Sequence, residues 1–267
     1  MHKLSHLVRL LPQRPEEFWD RLSTAVEARR EGSASTQPRC QAIPFQEAVG
    51  ELEQAMGRKL GRVQSEVALA QIERHVRSRS EKLKMIAPFG LFHNGDLALA
   101  RFCYLACRAL RPAIVLETGV AYGVTTSFVL QALQQQPAGE LLSIDLPPLG
   151  PAADSFVGFL VPPELRNRWR LHRGRSRRLL PAILQQAGGL DLFIHDSLHT
   201  HRNMTWEFRH AWARLRSGGL LISDDVNQNS AFHDFVERMK PSFSMVVQEL
   251  NKDAAFGVAM KGSQASS

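Results

Sequence analysis

Ala113-Ile114-Val115-Leu116 is followed directly by Glu117-Thr118-Gly119-Val120-Ala121-Tyr122-Gly123-Val124-Thr125, and this stretch decides the fold. A short run of apolar residues without alternation predicts a strand buried on both faces. Two glycines four residues apart then predict a tight turn whose backbone can come close to a ligand. A helix near Thr126–Gln134 should begin right after it, with its first N–H groups unpaired. Leu141–Asp145 reads as a second strand, and Asp145 stands 22 residues beyond Gly123. An acid about 20 residues past a glycine-bearing turn is placed to accept hydrogen bonds from a ribose. The spacing Glu-x-Gly-x-x-x-Gly differs from Gly-x-Gly-x-x-Gly, which argues against a pyrophosphate lying on the turn.

Outward from there the pattern repeats. A helix, Asp96–Leu110, precedes the first strand. Trp169–His172 is a weaker third strand, followed by a helix near Arg177–Gln186. Leu190–His195 is a fourth strand and leads into a long helix ending near Leu215. Gly219–Ser223 is a fifth, followed by a helix near Ala231–Met239. Phe243–Glu249 and Ala254–Met260 read as two closing strands joined by Asn251-Lys252-Asp253. The class is α/β, a doubly wound and mostly parallel seven-stranded sheet. Right-handed crossovers put every strand's C-terminal end on one edge, where ligands bind.

That edge is where the reactive side chains fall. His195-Asp196-Ser197-Leu198-His199-Thr200-His201 follows the fourth strand, and Asp224-Asp225 follows the fifth. Asp196, Asp224 and Asp225 would repel one another there unless a cation neutralised them. Magnesium, with oxygen ligands and retained waters, suits such a set. The plainer alternative makes Asp196 and Asp225 helix caps. His199 lies three residues past Asp196, and if the segment is helical the two share a face. An imidazole there can take a hydroxyl proton. His195 and His201 compete for that role.

Glu117-Thr118-Gly119-Val120-Ala121-Tyr122-Gly123, Ser143-Ile144-Asp145, Gly189-Leu190-Asp191-Leu192-Phe193-Ile194-His195-Asp196-Ser197-Leu198-His199 and Gly218-Gly219-Leu220-Leu221-Ile222-Ser223-Asp224-Asp225 together resemble class I methyltransferases. More narrowly they are similar to the catechol O-methyltransferase-like and macrolide-sugar O-methyltransferase-like groups (the methyltransferase 24 type). The resemblance runs from about residue 95 to 260. It implies S-adenosylmethionine as cofactor, with Glu117, Gly119, Ala121, Tyr122, Gly123 and Thr125 at its methionine end. It also implies Asp145 on the ribose, and Gly174-Arg175-Ser176 as the adenine-side turn with Ser176 as the contact. Asp196 counts among both cofactor and metal residues, with Asp224 and Asp225 as the further ligands of Mg2+ or another divalent cation. His199 falls on the general-base position. Catechol-type enzymes usually carry Asp-Asn where Asp224-Asp225 stands. The expected reaction is O-methylation of a hydroxyl on a small molecule of sugar, phenolic or natural-product type.

Residues 1–90 read as a helical extension, with helices from Pro15, over Phe45–Met56 and over Val67–Val76, and a loop across residues 31–44. They serve as a cap, a dimer surface or an interaction module. Residues 91–262 form the catalytic domain, and 263–267 a frayed tail. Hydrophobic residues make up 44% of the 267, which excludes a wholly disordered chain. No apolar run approaches the ~18 residues of a membrane span. Arg9 breaks the one leucine-rich patch near the start, so no signal peptide is read. Cys40, Cys103 and Cys107 are too few and too oddly spaced for a disulfide framework, and a cytoplasmic setting fits. The net charge is +7. Arg166, Arg168, Arg170, Arg173, Arg175, Arg177 and Arg178 crowd around Trp169. The plain expectation is solvated arginines facing out. The alternatives are phosphate contacts of an RNA methyltransferase, or an anionic small substrate. A cofactor-binding scaffold without turnover is the remaining rival.

Overall fold

The computed structural model describes residues 2–31, 41–91, 96–150, 152–250 and 254–262. Cys40, the Asn251–Asp253 turn and the tail at 263–267 lie outside them. In chain order the elements are α1 (His2–Gln13), α2 (Pro15–Glu31), α3 (Phe45–Met56), α4 (Gly61–Gln64), α5 (Val67–Ile86), α6 (Leu97–Leu110), β1 (Ile114–Thr118), α7 (Val124–Gln134), β2 (Glu140–Asp145), α8 (Ala153–Phe156), β3 (Trp169–Arg173), α9 (Ser176–Ala187), β4 (Leu190–His195), α10 (His201–Arg214), β5 (Leu215–Ser223), α11 (Ala231–Met239), β6 (Phe243–Gln248) and β7 (Ala255–Met260).

The strands make one seven-stranded sheet in the order β3-β2-β1-β4-β5-β7-β6. β1 to β5 pair in parallel, and β7 runs antiparallel between β5 and β6. The order reverses at β1, which pairs with β2 on one side and β4 on the other. Alternate residues of one strand enter opposite cores. Val115, Leu192 and Ile194 pack with α5, α6 and α7 on one face, while Leu116 and Phe193 pack with α9, α10 and α11 on the other. This two-sided burial is why these strands read as unbroken apolar runs. The first of these cores also takes in Ala48, Val49 and Leu52 of α3 and Leu69, Ile72, Val76 and Leu83 of α5, so it is continuous across residue 90.

Two elements are longer than the sequence pattern predicts. α5 continues past Val76 to Ile86, where Glu81–Lys84 pairing and buried Leu83 sustain a polar stretch. β5 starts at Leu215, which pairs with Leu190 before a register shift. The Arg216-Ser217-Gly218 insertion at that shift hides the strand's beginning from an apolar search. Cys103 and Cys107 are buried in α6 and unbridged. Among the described residues no helix is long and apolar enough to cross a membrane.

Candidate active site

The turn after β1 is fixed by its neighbours. Gly119 has φ +86°, and an added Cβ would collide with the backbone carbonyl of Asp196. Only glycine lets the turns after β1 and β4 meet this closely. Asp196 N–H donates to Thr118 O at 2.7 Å and Asp224 N–H to His195 O at 2.9 Å, which laces the ends of β1, β4 and β5 together. Ala121 and Gly123 also have positive φ. The loop after β2 lies on this turn, with Gly158 N–H donating to Ala121 O and Leu160 N–H to Tyr122 O. The Tyr122 side chain points away from the turn. It is fully buried, stacks on Phe89 at 4.0 Å and donates its hydroxyl to Phe89 O at 2.6 Å.

Glu117 is sealed beneath the turn, accepting from Thr126 Oγ1 at 2.9 Å and Ser143 Oγ at 2.7 Å. Burial outweighs these bonds and pushes its carboxyl up to about 7. Asp145 ends β2 and accepts from Val120 N–H at 2.9 Å through Oδ1. Burial pushes it up to about 6, against the pull of those amides and of Arg173 and Arg21. Its Oδ2 is buried without a partner, and so is Thr125 Oγ1 at the start of α7. Ser176 is buried as the first residue of α9, its hydroxyl turned to Glu207.

After β4 the chain does not enter a helix until His201. Thr200, not Asp196, caps α10, accepting from Asn203 N–H at 3.1 Å. The approach of His199 to Asp196 is therefore a loop geometry, 3.8 Å from Nε2 to Oδ1, not one face of a helix. Asp196, His199 and Asp224 each offer a ligand atom within 4.8 Å of the others. Asp225, in left-handed backbone at φ 52°, turns its Oδ2 to His199 Nδ1 at 2.9 Å. His199 Nε2 and Asp224 Oδ1 are buried without partners. Burial and the neighbouring Asp224 push Asp196 far above the usual carboxylate range. Burial opposes a charge on His199, but Asp225 and Asp224 more than offset it and raise its affinity for a proton. Two carboxylates and an imidazole with unmet lone pairs around one point form a donor set that fits a divalent cation. His201 is instead held by Asp234 at 2.8 Å, exposed and apart from this group.

Two features escape the sequence reading. The first is Glu207 of α10, fully buried, which receives His195 Nδ1 at 2.7 Å, Thr118 Oγ1 at 2.6 Å, and Ser197 Oγ and Asn203 Nδ2 at 2.9 Å each. It stands among Met204, Phe208 and Ala211 on the helix's apolar stripe, and an acid in such a stripe was the available signal. The second is α2. The arginine cluster expected to face solvent does so in part, with Arg166, Arg170, Arg173 and Arg178 exposed and Arg168, Arg175 and Arg177 half-buried, but its members are engaged by the chain's own groups. Arg173 pairs with Glu17 and Asp154, Arg175 with Glu27, and Arg178 with Glu16 and Asp20. Arg166 and Arg168 donate to backbone carbonyls, Arg177 to Arg202 O, and Arg170 pairs with Glu140. The acids at 17, 20, 27 and 31 recur at helical spacing, a stripe that the sequence displays without naming its partner.

Residues 116–226 match the family model described as a methyltransferase domain, Methyltransf_24. No curated protein matches the chain. The fold is similar to that of the O-methyltransferase TomG from Streptomyces achromogenes, involved in tomaymycin synthesis and solved in complex with SAM. The two are 18% identical, with 74% of this chain and 91% of that one covered and a TM-score of 0.52. It is also similar to the O-methyltransferase from Bacillus cereus solved in complex with SAH, at 14% identity over 80% of this chain and 97% of that one, TM-score 0.52. At such identities the likeness is one of fold. Residues 116–226 thus match a methyltransferase domain, and the sheet around them shares the fold of these two enzymes.

Proposed function

We propose that this methyltransferase domain, residues 91–262, transfers a methyl group from S-adenosylmethionine to a hydroxyl of a small molecule, with His199 as the general base. The observation that carries the reading is the pair of unsatisfied buried oxygens flanking the positive-φ turn, Asp145 Oδ2 and Thr125 Oγ1. Unpaired buried polar atoms are costly, so they argue for a polar ligand that completes them. Asp145 would take the ribose hydroxyls. The turn from Glu117 through Thr125 would line the methionine end, with Tyr122 contributing backbone only. Ser176 would border the adenine. The cofactor supplies an already activated methyl, so the protein's work is to position, deprotonate and exclude water.

Asp225 accepts from His199 Nδ1, which fixes the ring and leaves Nε2 to receive the hydroxyl proton. Asp196 and Asp224 would hold the cation, which when bound lowers the pKa of a coordinated hydroxyl. The 4.8 Å cluster favours one second reading, in which His199 is itself a cation ligand and Asp225 its orienting partner. Manganese titration of His199→Ala separates the two. Unchanged affinity fits a base, and a drop of about tenfold or more fits a ligand. The pairing of these arginines with the chain's own carboxylates supports a small acceptor over RNA.

Calorimetric titration with S-adenosylmethionine tests the reading. Micromolar binding is expected, weakened by about tenfold or more in Asp145→Ala, which loses hydrogen bonds to a charged acceptor. No binding by the wild-type protein would overturn it.

A further inference from the structure

α2 is attached unlike the other long helices. α5 is anchored through Leu69, Ile72, Val76 and Leu83, whereas the buried positions of α2 are Glu17, Asp20 and Glu27. Of its large apolar residues Phe18 is half-buried, while Trp19, Leu22 and Val26 face solvent, Trp19 at 60% exposure. The helix is therefore held down by charge and hydrogen bonds, with little hydrophobic burial.

The groups it grips are those assigned above to the adenosine half of the cofactor and to the segment beside the base. Arg21 donates to Pro147 O at 2.8 Å, two residues past Asp145. Glu17 holds Arg173 at the end of β3. Asp20 accepts the Arg175 N–H at 3.2 Å, directly before Ser176. Glu27 joins the Arg175 side chain to Thr200 Oγ1, the latter at 2.9 Å, and Thr200 follows His199. Glu31 accepts from His201 N–H. Asp20 and Glu31 thus sit at the N-termini of α9 and α10, where a helix favours negative charge.

We propose that α2 is a charge-held strap across the cofactor site, which opens to admit and release S-adenosylmethionine and closes over it. Opening exchanges the carboxylate–arginine contacts for water and salt ions and exposes little apolar surface, so it depends on ionic strength. The proposal rests on the methyltransferase reading and gives the N-terminal extension a role in that same site.

Stopped-flow association and dissociation of S-adenosylhomocysteine, measured on the whole protein, test it. In Asp20→Asn/Glu27→Gln both rates should rise by about tenfold with the equilibrium constant changed less than about threefold, because a loosened gate speeds passage both ways. In the wild type both rates should climb as NaCl goes from about 0.05 to about 0.5 M, and that slope should flatten in the variant. The salt series decides the matter if the variant fails to fold. Rates indifferent to both charge and salt would overturn the strap. So would a rise in dissociation alone, which would make α2 a fixed wall. Absence of binding by the wild-type protein would instead defeat the methyltransferase reading, and the strap with it.

Discussion

Replacing Glu207 by Gln removes one charge from the most densely bonded point of the sheet edge. The carboxylate is fully buried and receives Thr118, His195, Ser197 and Asn203 at 2.6 to 2.9 Å. Burial works against its ionised form, yet His195 and the hydroxyls hold it down to about 2, against an ordinary 4.5. A carboxylate held that low contributes on the order of 3 kcal/mol to folding at neutral pH. The amide keeps the volume and one acceptor oxygen. Thr118 can turn its hydroxyl and His195 can change tautomer, but the charge-assisted strength of each bond is lost. A cost of about 3 kcal/mol follows, which in a chain of this size lowers Tm by about 10 °C. Urea unfolding followed by circular dichroism at pH 7 measures it. The sign of the pH dependence is a second check. A depressed carboxylate stabilises fully above its unfolded value near 4.5, and that stability drains away as pH falls toward 2. The difference between wild type and Glu207→Gln should therefore shrink below about pH 4. A cost under about 1 kcal/mol, or a difference that does not change with acid, would refute the idea that an ionised Glu207 ties these strands together.

Two further outcomes follow from the turn and the strand beside it. Cofactor binding should strengthen from pH 5 toward 7 and then level. On the proposed reading Asp145 accepts the ribose hydroxyls in its ionised form, and in the free protein burial holds it up to about 6. Affinity at pH 5 should thus be about a tenth of the plateau, and Asp145→Asn should flatten the profile; a wild-type profile that is already flat would assign the ribose elsewhere. Gly119→Ala should unfold at least about 3 kcal/mol more easily, from left-handed strain plus the collision with the Asp196 carbonyl. Thermal melts without cofactor read this, and an unchanged midpoint would mean that the two turns do not touch.

Much of this was legible in the chain, and physical reasons separate what was from what was not. β1, β2 and β4 announced themselves because burial on both faces demands apolar residues throughout. The acids after β4 and β5 were legible because chemistry in such sheets collects at one edge. Side-chain direction within that edge was not. Nothing in Asp224-Asp225 says that one carboxylate faces Asp196 while the other turns to His199, since this depends on the left-handed backbone at Asp225. The attachment of α2 was illegible for a different reason. A helix bearing acids at 17, 20 and 27 resembles a solvated face until its partners are known, and those lie about 150 positions away in the chain.

The sheet order has a consequence for how the molecule comes together. β7, the last strand, is not at the rim; it fills the space between β5 and β6. Among the described residues β6 therefore has no sheet neighbour except β7 and an isolated bridge at Ile43, itself far upstream. A nascent chain can zip β1 to β5 into a parallel array as each crossover is made, but β6 must wait, its edge bare, until Met260 has been synthesised. Until the β6–β7 hairpin forms and docks, β5 keeps an adhesive strand edge open. Loss of the final dozen described residues would thus remove not one strand but two, and aggregation during synthesis would precede any defect in catalysis.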